Sequence, residues 1–291
     1  MTKLQNMTTL RSCPAKGGTP CVYLVGAGPG DPELLTLKAL RAIERADVVV
    51  YDRLVSDAVL ALVPKTATQI YVGKKTNQHT LPQERINALL VSLARDGQTV
   101  VRLKGGDPYI FGRGSEEALE LKRSGVPFLV IPGITAAAGA GAAIGVPLTH
   151  RGMATGVRFV TGHCRAGAPL DLDWDSLANP DTTLALYMGL ANLGVIADRL
   201  CAAGLDRATP ALAVAGATLE NQQLCRATLS TIHDKALAAS MTGPVLILIG
   251  RVVALADILG AESAQFEQVF SRMQTESPCE QTSDRAEAVG A

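Results

Sequence analysis

The sequence lacks an excess of either charge. Its 291 residues include 27 basic and 27 acidic side chains, so the formal net charge is zero. A neutral chain argues against general binding to nucleic acid or to a membrane surface, because both depend on clustered Lys and Arg. We therefore expect no nucleic-acid partner, and any anionic ligand must meet a local basic patch.

Long hydrophobic runs and C-x-x-C motifs are also missing. The longest aliphatic run extends only from Val245 to Ile249, whereas a membrane helix needs about 20 apolar residues. No apolar run near Met1 could serve as a signal peptide, and the six cysteines are scattered without a C-x-x-C pair. These features predict a cytoplasmic protein that does not enter a membrane.

The two ends of the chain differ from its middle in composition. Residues 1–20 are polar and interrupted by Pro and Gly, and polar residues replace the apolar pattern from about Gln265 onward. We expect a flexible leader at 1–20 and a disordered tail at 263–291. The remaining body is expected to form two α/β domains, at 21–134 and 135–262.

Short β-branched runs alternate with helical patterns along this body. The clearest helix is predicted over 83–95, where apolar residues recur at helical spacing and form one stripe. Strands are predicted at 22–26, 48–52, 69–73, 99–105, 128–133, 157–162, 183–189, 211–216 and 245–250. This alternation is typical of an α/β fold with mostly parallel sheets and flanking helices, and its ligand site is expected in a cleft between the two halves.

A Gly-rich turn, G-A-G-P-G-D-P, occupies residues 26–32 between a strand and a helix. A dinucleotide-binding turn needs a third glycine where this chain has Asp31, and a carboxylate there would repel pyrophosphate. We expect Asp31 instead to cap a helix that begins at Pro32. Asp52, which ends the second predicted strand, partly resembles a ribose-binding acid, so an NAD or FAD site stays as an alternative although no NAD is expected.

The most informative stretch is R-L-K-G-G-D-P-Y-I-F-G-R-G-S-E-E at 102–117. Its strand ends in two glycines, which bring bare backbone to the carboxyl edge of a parallel sheet, where ligands of such sheets bind. Asp107 then offers a carboxylate, Phe111 an apolar surface and Arg113 a planar cation. The two acids at 116–117 are equally explained as residues that complement the dipole of a following helix.

Three shorter motifs lie where the cleft is expected: P-G-I-T-A at 132–136, P-L-T-H-R at 147–151 and Y-M-G at 187–189. Helix capping alone would explain Thr135, and core packing alone would explain Met188. These motifs therefore carry weight only together with the others.

Metal chemistry finds little support in the sequence. The four histidines lie in separate segments without ligand spacing, so we expect no metal site. No separate segment carries a G-x-G-x-x-G fingerprint either, so we expect no fused dehydrogenase.

Taken together and in order over residues 22–253, six motifs resemble those of the tetrapyrrole methylase family: G-A-G-P-G-D-P-E-L-L-T, V-V-V-Y-D-R-L-V, R-L-K-G-G-D-P-Y-I-F-G-R-G, V-I-P-G-I-T-A, P-L-T-H-R and L-Y-M-G. The resemblance implies a two-domain α/β fold with S-adenosylmethionine in the interdomain cleft of a homodimer. It also implies methylation of uroporphyrinogen III at ring carbons C2 and C7. The product would be precorrin-2, formed through precorrin-1, for sirohaem, cobalamin or haem d1 synthesis.

By the same resemblance, particular residues fall on functional positions. The positions that contact S-adenosylmethionine are Pro29, Gly105, Gly106, Asp107, Ile110, Thr135, Ala136, Met188 and Ala217. The catalytic positions are Asp52, Arg113, Glu116 and Arg151, and the substrate-binding positions are Phe111, Arg113, Arg151 and Tyr187. Around Ala217 the chain reads A-G-A-T-L-E where relatives often have N-G-T-T-P, so its assignment rests on backbone contact.

The implied chemistry explains these residue types. Methyl transfer from a sulfonium mainly requires that sulfur, methyl and ring carbon be held in line. Charge builds on the acceptor ring and a proton leaves it, so Asp52 is the candidate to stabilise that charge or accept the proton. The substrate bears eight carboxylates, for which Arg113 and Arg151 are candidate partners. A methyltransferase for a later precorrin and a noncatalytic S-adenosylmethionine-binding protein are the alternatives.

Overall fold

A computed structural model describes residues 21–73, 81–163 and 170–260. The expected leader at 1–20 and tail at 263–291 lie outside these residues. The described residues form ten strands, eight α-helices with both ends described, a further helical segment at 256–260 and a few 3₁₀ turns, arranged around two five-stranded sheets. No helix in this part of the chain has the length and apolar character needed to cross a membrane.

The first sheet is entirely parallel. Its strands are β1 (Val22–Gly26), β2 (Val48–Tyr51), β3 (Thr68–Tyr71), β4 (Val100–Lys104) and β5 (Phe128–Ile131), and its helices are α1 (Leu37–Ile43), α2 (Asp57–Leu60), α3 (Gln83–Arg95) and α4 (Gly114–Arg123). The strand order is β3-β2-β4-β1-β5, and every neighbouring pair is parallel. All carboxyl ends therefore open on one edge, the edge at which parallel sheets bind ligands.

Side-chain alternation along the strands builds a core on each face of this sheet. On β1, Val22 and Leu24 pack with Ile86 and Leu90 of α3, whereas Val25 packs on the opposite face with α1 and α2. Helix α3 has the bounds predicted from its apolar stripe. Because both faces are covered, β1, β2 and β5 are continuously hydrophobic rather than alternating.

The second sheet is mixed. Its strands are β6 (Gly156–Thr161), β7 (Thr182–Tyr187), β8 (Pro210–Ala215), β9 (Gln223–Thr228) and β10 (Val245–Ile249), and its helices are α5 (Ala136–Ile144), α6 (Trp174–Leu177), α7 (Leu193–Ala202) and α8 (Ile232–Ala238). The order is β6-β7-β10-β8-β9, with only β6 and β7 parallel. The α/β fold class is confirmed, and five of the eight described pairings in the two sheets are parallel.

Two local features differ from the sequence predictions. Asp31 does act as a cap, accepting from the Glu33 N–H at 2.8 Å, but the turn that it caps is a short 3₁₀ turn. Helix α1 begins only at Leu37, after its own cap, Thr36. Strand β9 was not predicted, because it is an edge strand whose side chains are largely exposed and follow no apolar run.

Helix α5 connects the two sheets and explains the Ala- and Gly-rich composition of this segment. Its Ala137, Ala140 and Ile144 pack against the second sheet. A Cβ at Gly139 would lie 2.5 Å from the Pro29 ring, in the loop after β1. Small residues therefore let this helix approach both halves of the molecule at once.

We expect Gly26→Ala to destabilise the fold, because the added methyl would lie 2.5 Å from the Gly133 nitrogen and 2.6 Å from the Gly106 oxygen. Overpacking of this kind costs about 1–3 kcal/mol, and backbone neighbours give little relief. Urea unfolding of the two proteins measures the loss. Gly156→Ala is the matched control, since a Cβ there meets nothing within 4 Å. Equal stabilities for the two variants would contradict this account of the glycine contact.

Candidate active site

Bare backbone from three loops meets at the carboxyl edge of the first sheet. Gly28 and Gly106 exchange hydrogen bonds: the Gly106 N–H donates to the Gly28 oxygen at 2.7 Å, and the Gly28 N–H donates to the Gly106 oxygen at 3.2 Å. Both residues have positive φ, at 71° and 66°, which favours glycine. The loops after β1 and β4 are thereby held together without intervening side chains. The loop after β5 lies against them, since a Cβ at Gly133 would lie 2.3 Å from the Gly106 oxygen.

Asp107 locks two of these loops to each other. Its Oδ1 accepts from the Tyr109 N–H at 2.8 Å, and its Oδ2 accepts from the Gly133 N–H at 3.1 Å. Both bonds go to backbone donors, one in its own loop and one in the loop after β5. The carboxylate thus fixes the loop that carries Gly105, Gly106 and Ile110, three of the predicted cofactor-contacting positions.

Tyr187 fixes the start of α5 to the second sheet. Its hydroxyl lies 2.6 Å from Thr135 Oγ1 and accepts from the Ala137 N–H at 3.0 Å, across the start of α5. Burial raises the pKa of Tyr187 above its usual value. Thr135 makes no side-chain cap bond to α5, so capping does not explain it. The hydroxyl of Tyr187 is occupied by these contacts, which leaves its ring as the part that can face a ligand.

A hydrogen bond and a close packing contact connect the two halves near Ala217. The Asp31 N–H donates to Thr218 Oγ1 at 3.2 Å, and a Cβ at Gly30 would lie 2.6 Å from Leu219 Cδ2. The Gly-rich turn after β1 therefore contacts the turn after β8. Ala217 lies in that turn.

Strained backbone is concentrated around this edge. Phe111, Arg113, Met188 and Thr218 have φ between 53° and 67°, and they are four of the five non-glycine residues with positive φ in the described ranges. Such conformations cost about 1–3 kcal/mol each and persist where the surrounding structure enforces them. They cluster at functional sites, which supports placing the site here.

An exposed apolar surface covers part of the edge. The Phe111 ring lies 4.9 Å from the Tyr187 ring, which in turn lies 5.9 Å from Phe159. Phe111 is 39% exposed and Met188 is 51% exposed. Large apolar side chains left open to solvent beside glycine-rich loops are typical of a ligand surface.

The two predicted arginines have different surroundings. Arg113 forms a bidentate pair with Glu116, with two bonds of 2.7 Å, and both side chains are exposed. This hydrogen bonding raises the pKa of Arg113 and lowers that of Glu116. Arg151 is exposed on the turn after α5 and forms no ion pair among the described residues. The structure joins Arg113 to Glu116 but shows no contact between either of them and Arg151.

Asp52 is held at both carboxylate oxygens. Its Oδ1 accepts from the Leu54 N–H at 3.1 Å, and its Oδ2 accepts from Arg102 Nη2 at 3.0 Å. Arg102 and Lys104, both on β4, also donate to Glu117 Oε1 at 3.0 and 3.1 Å. This buried cluster was not predicted from the sequence, although two cations inside an apolar strand are the signal that buried counter-charges must exist.

Eight of the nine predicted cofactor positions lie on loops that follow strands of the two sheets, after β1, β4, β5, β7 and β8, and the ninth, Ala136, is the first residue of α5. The hydrogen bonds described above bring these five loops to one edge. Within the described ranges, no group of three His, Cys, Asp or Glu side chains is placed to hold a metal ion.

Comparison with known families identifies this arrangement. A family model described as Tetrapyrrole (Corrin/Porphyrin) Methylases matches residues 21–233. The chain belongs to this family. It is therefore an enzyme of a methyltransferase family, and the resemblance drawn from the motifs is confirmed.

Two curated relatives show how much of the chain this family covers. This methylase is 54% identical over 242 residues to a protein of Paracoccus denitrificans named uroporphyrinogen-III C-methyltransferase, which covers 83% of the chain and 84% of the relative. It is 52% identical over 242 residues to a siroheme synthase of Nitrosospira multiformis, covering 83% of the chain. The match covers 50% of that second relative, so the chain spans about half of its length.

A solved structure agrees with the fold. The uroporphyrin-III C-methyl transferase of Thermus thermophilus, complexed with S-adenyl homocysteine, matches with a TM-score of 0.68 and 44% sequence identity. The match covers 80% of this chain and 92% of the neighbour. The neighbour's complex contains the demethylated form of the methyl donor.

We expect Tyr187→Phe to loosen the attachment of the start of α5 to the second sheet. The variant leaves the Ala137 N–H and the Thr135 hydroxyl without their partner, and an unsatisfied buried donor costs about 1–3 kcal/mol. Urea unfolding measures the loss. Tyr109→Phe serves as the control, because Tyr109 is 53% exposed. A Tyr187→Phe protein as stable as the control would show that the hydroxyl does not hold the start of α5 in place.

Proposed function

We propose that this methylase transfers two methyl groups from S-adenosylmethionine to C2 and C7 of uroporphyrinogen III, forming precorrin-2 through precorrin-1. The observation that carries the proposal is the meeting of five loops from both sheets at one edge, where bare glycine backbone adjoins an exposed aromatic surface and arginines. The 54% identity to the Paracoccus protein supports the choice of substrate. Precorrin-2 would then serve sirohaem, cobalamin or haem d1 synthesis.

The residues at this edge fit a compact methyl donor. Gly106 leaves room beside the start of α5, where a Cβ would come no closer than 3.7 Å to the Ala136 nitrogen. Thr135 and Ala136 would line one side of the donor, and Met188 and Ala217 the other. The donor supplies an activated methyl group, so the task of these residues is to orient it and exclude water.

The acceptor side would be formed by charged and aromatic groups. The Asp52 carboxylate, at the carboxyl end of β2, would stabilise positive charge that develops on the acceptor ring or accept its proton. Phe111 and the Tyr187 ring offer an apolar face for a flat macrocycle. Arg151, which has no ion-pair partner of its own in the described structure, is suited to hold a substrate carboxylate with two hydrogen bonds.

We further propose that the protein is a cytoplasmic homodimer whose two domains divide near Thr135. Large apolar side chains stay exposed on the second half: Val195 is 54% exposed, Leu237 is 62% exposed and Ile258 is 68% exposed. A contiguous patch of such residues would be typical of a surface that another chain covers, and this is the basis of the proposed self-association.

Anaerobic incubation with uroporphyrinogen III and labelled S-adenosylmethionine tests the proposed reaction. We expect a product that carries two added methyl groups, detected by mass spectrometry. Labelled donor that is consumed only with a later precorrin would instead establish the alternative substrate. Donor binding without transfer to any tetrapyrrole would indicate a noncatalytic protein.

Arg151→Ala should raise KM for uroporphyrinogen III by about 10- to 100-fold, because a hydrogen bond to a charged group is worth about 1.5–3 kcal/mol. Binding of S-adenosylmethionine, measured by calorimetry, should stay unchanged. Arg199→Ala is the matched control, since Arg199 is an exposed arginine in the last turn of α7. Weaker donor binding with an unchanged tetrapyrrole KM would show that Arg151 belongs to the other site.

A further inference from the structure

Four charged side chains form a cluster beneath the candidate site, and the proposed function leaves three of them without a role. Glu117 of α4 has a side chain with no exposed surface, and Arg102 and Lys104 of β4 are each 4% exposed. The fourth member is Asp52, whose side chain is 25% exposed at the edge. Two cations and two anions balance, so the cluster is neutral as a unit.

The cluster is connected through one guanidinium. Arg102 Nε donates to Glu117 Oε1 at 3.0 Å, and Nη2 of the same group donates to Asp52 Oδ2 at 3.0 Å. Arg102 Nη1 also donates to the Leu103 carbonyl at 2.9 Å. A guanidinium is planar and rigid, so the contact that fixes one of its edges also orients the other. Glu117 therefore sets the direction from which Arg102 meets Asp52.

Stability alone explains this cluster poorly. Glu117 Oε1 accepts from Arg102, Lys104 and also Gln83, whereas Oε2 is buried without a hydrogen-bond partner among the described residues. Buried ion pairs bear a large desolvation penalty, and well-packed apolar residues are often at least as stabilising. The Glu117 carboxylate is costly to bury and lacks a hydrogen-bond partner at one oxygen. A functional role that needs its negative charge explains its presence next to the candidate site better than stability does.

We propose that Glu117 is a positioning residue for methyl transfer, which acts through Arg102 to hold the Asp52 carboxylate in its orientation toward the acceptor. The inference rests on the proposed function, in which Asp52 stabilises charge on the acceptor ring. Glu117 lies in the first turn of the helix that follows Arg113. The same side chain therefore ties the loop with Phe111 to the position of Asp52.

Glu117→Gln tests the proposal, because it keeps the side-chain shape and removes the charge. We expect kcat to fall by about 10- to 100-fold, since displacing a reacting group by about 1 Å costs on the order of 100-fold. KM for S-adenosylmethionine should stay within about threefold of the wild type. An unchanged kcat would overturn the proposal.

A double-mutant cycle with Asp52→Asn separates positioning from general support of the fold. If Glu117 acts through Asp52, Glu117→Gln should change kcat by less than about twofold in the Asp52→Asn background, because coupled residues are not additive. Full additivity would overturn the proposal. Glu120→Gln is the matched control on the same helix, where Glu120 is 39% exposed and pairs with Arg123, and it should leave kcat unchanged.

Arg102→Lys provides a second variant if Glu117→Gln does not fold. It keeps a buried cation but replaces the planar group that spans Glu117 and Asp52 with a single ammonium. We expect the same fall in kcat and the same loss of effect in the Asp52→Asn background. A fully active Arg102→Lys enzyme would contradict transmission through the guanidinium.

Lys104 gives a readout that needs no substrate. Burial and the neighbouring Arg102 lower the pKa of Lys104, and Glu117 opposes that shift. Glu117→Gln should therefore lower the pKa of Lys104 further, measured by ¹³C NMR of the lysine Cε with Lys104→Met for assignment. Glu120→Gln should not change it. An unchanged Lys104 pKa in Glu117→Gln would overturn the network.

The two proposals fail in different ways. A wild-type enzyme that does not methylate uroporphyrinogen III overturns the proposed function, and the network is then judged by the Lys104 titration alone. A wild-type enzyme that methylates it while the cycle is additive overturns the positioning role and leaves the proposed function intact.

Discussion

The close crossing of bare backbone at Gly26, Gly106 and Gly133 is the constraint on which the rest of the site depends. Since a methyl group at Gly26 would lie 2.5 Å from a backbone nitrogen, the loops after β1, β4 and β5 have one mutual arrangement. Asp107 fixes that arrangement with hydrogen bonds to two of these loops. The edge can then present glycine backbone to a ligand without side chains that would fill the space.

The two halves are joined at this edge by a few directed contacts. Thr218 binds Asp31, Gly139 of α5 packs against Pro29, and Tyr187 holds the start of α5 on the second sheet. These residues lie beside or among the positions assigned to the methyl donor. The same contacts that set the relative placement of the two sheets would therefore set the shape of the donor pocket, so fold and function share one group of interactions.

The sequence predicted most of the fold and missed part of the site, for physical reasons. Buried parallel strands such as β1 are continuous apolar runs between glycines, and α3 has a clear apolar stripe, so both were found. Edge strand β9 has no such pattern because one side of it meets solvent. Glu117 was indistinguishable from Glu116 in a first helical turn, since only the three-dimensional position of α4 turns one inward toward Arg102 and the other outward.

The left-handed backbone of Phe111, Arg113, Met188 and Thr218 determines which substitutions would trade activity for stability in this protein. Glycine would relax each of these positions, yet it would also remove the side chain and widen the range of loop shapes. Selection for thermal stability alone would thus favour replacements that relieve backbone strain at the candidate site and reduce its activity. Substitutions that raise thermal stability are better sought in the two cores and at exposed helix positions, where a gain in stability does not reduce turnover.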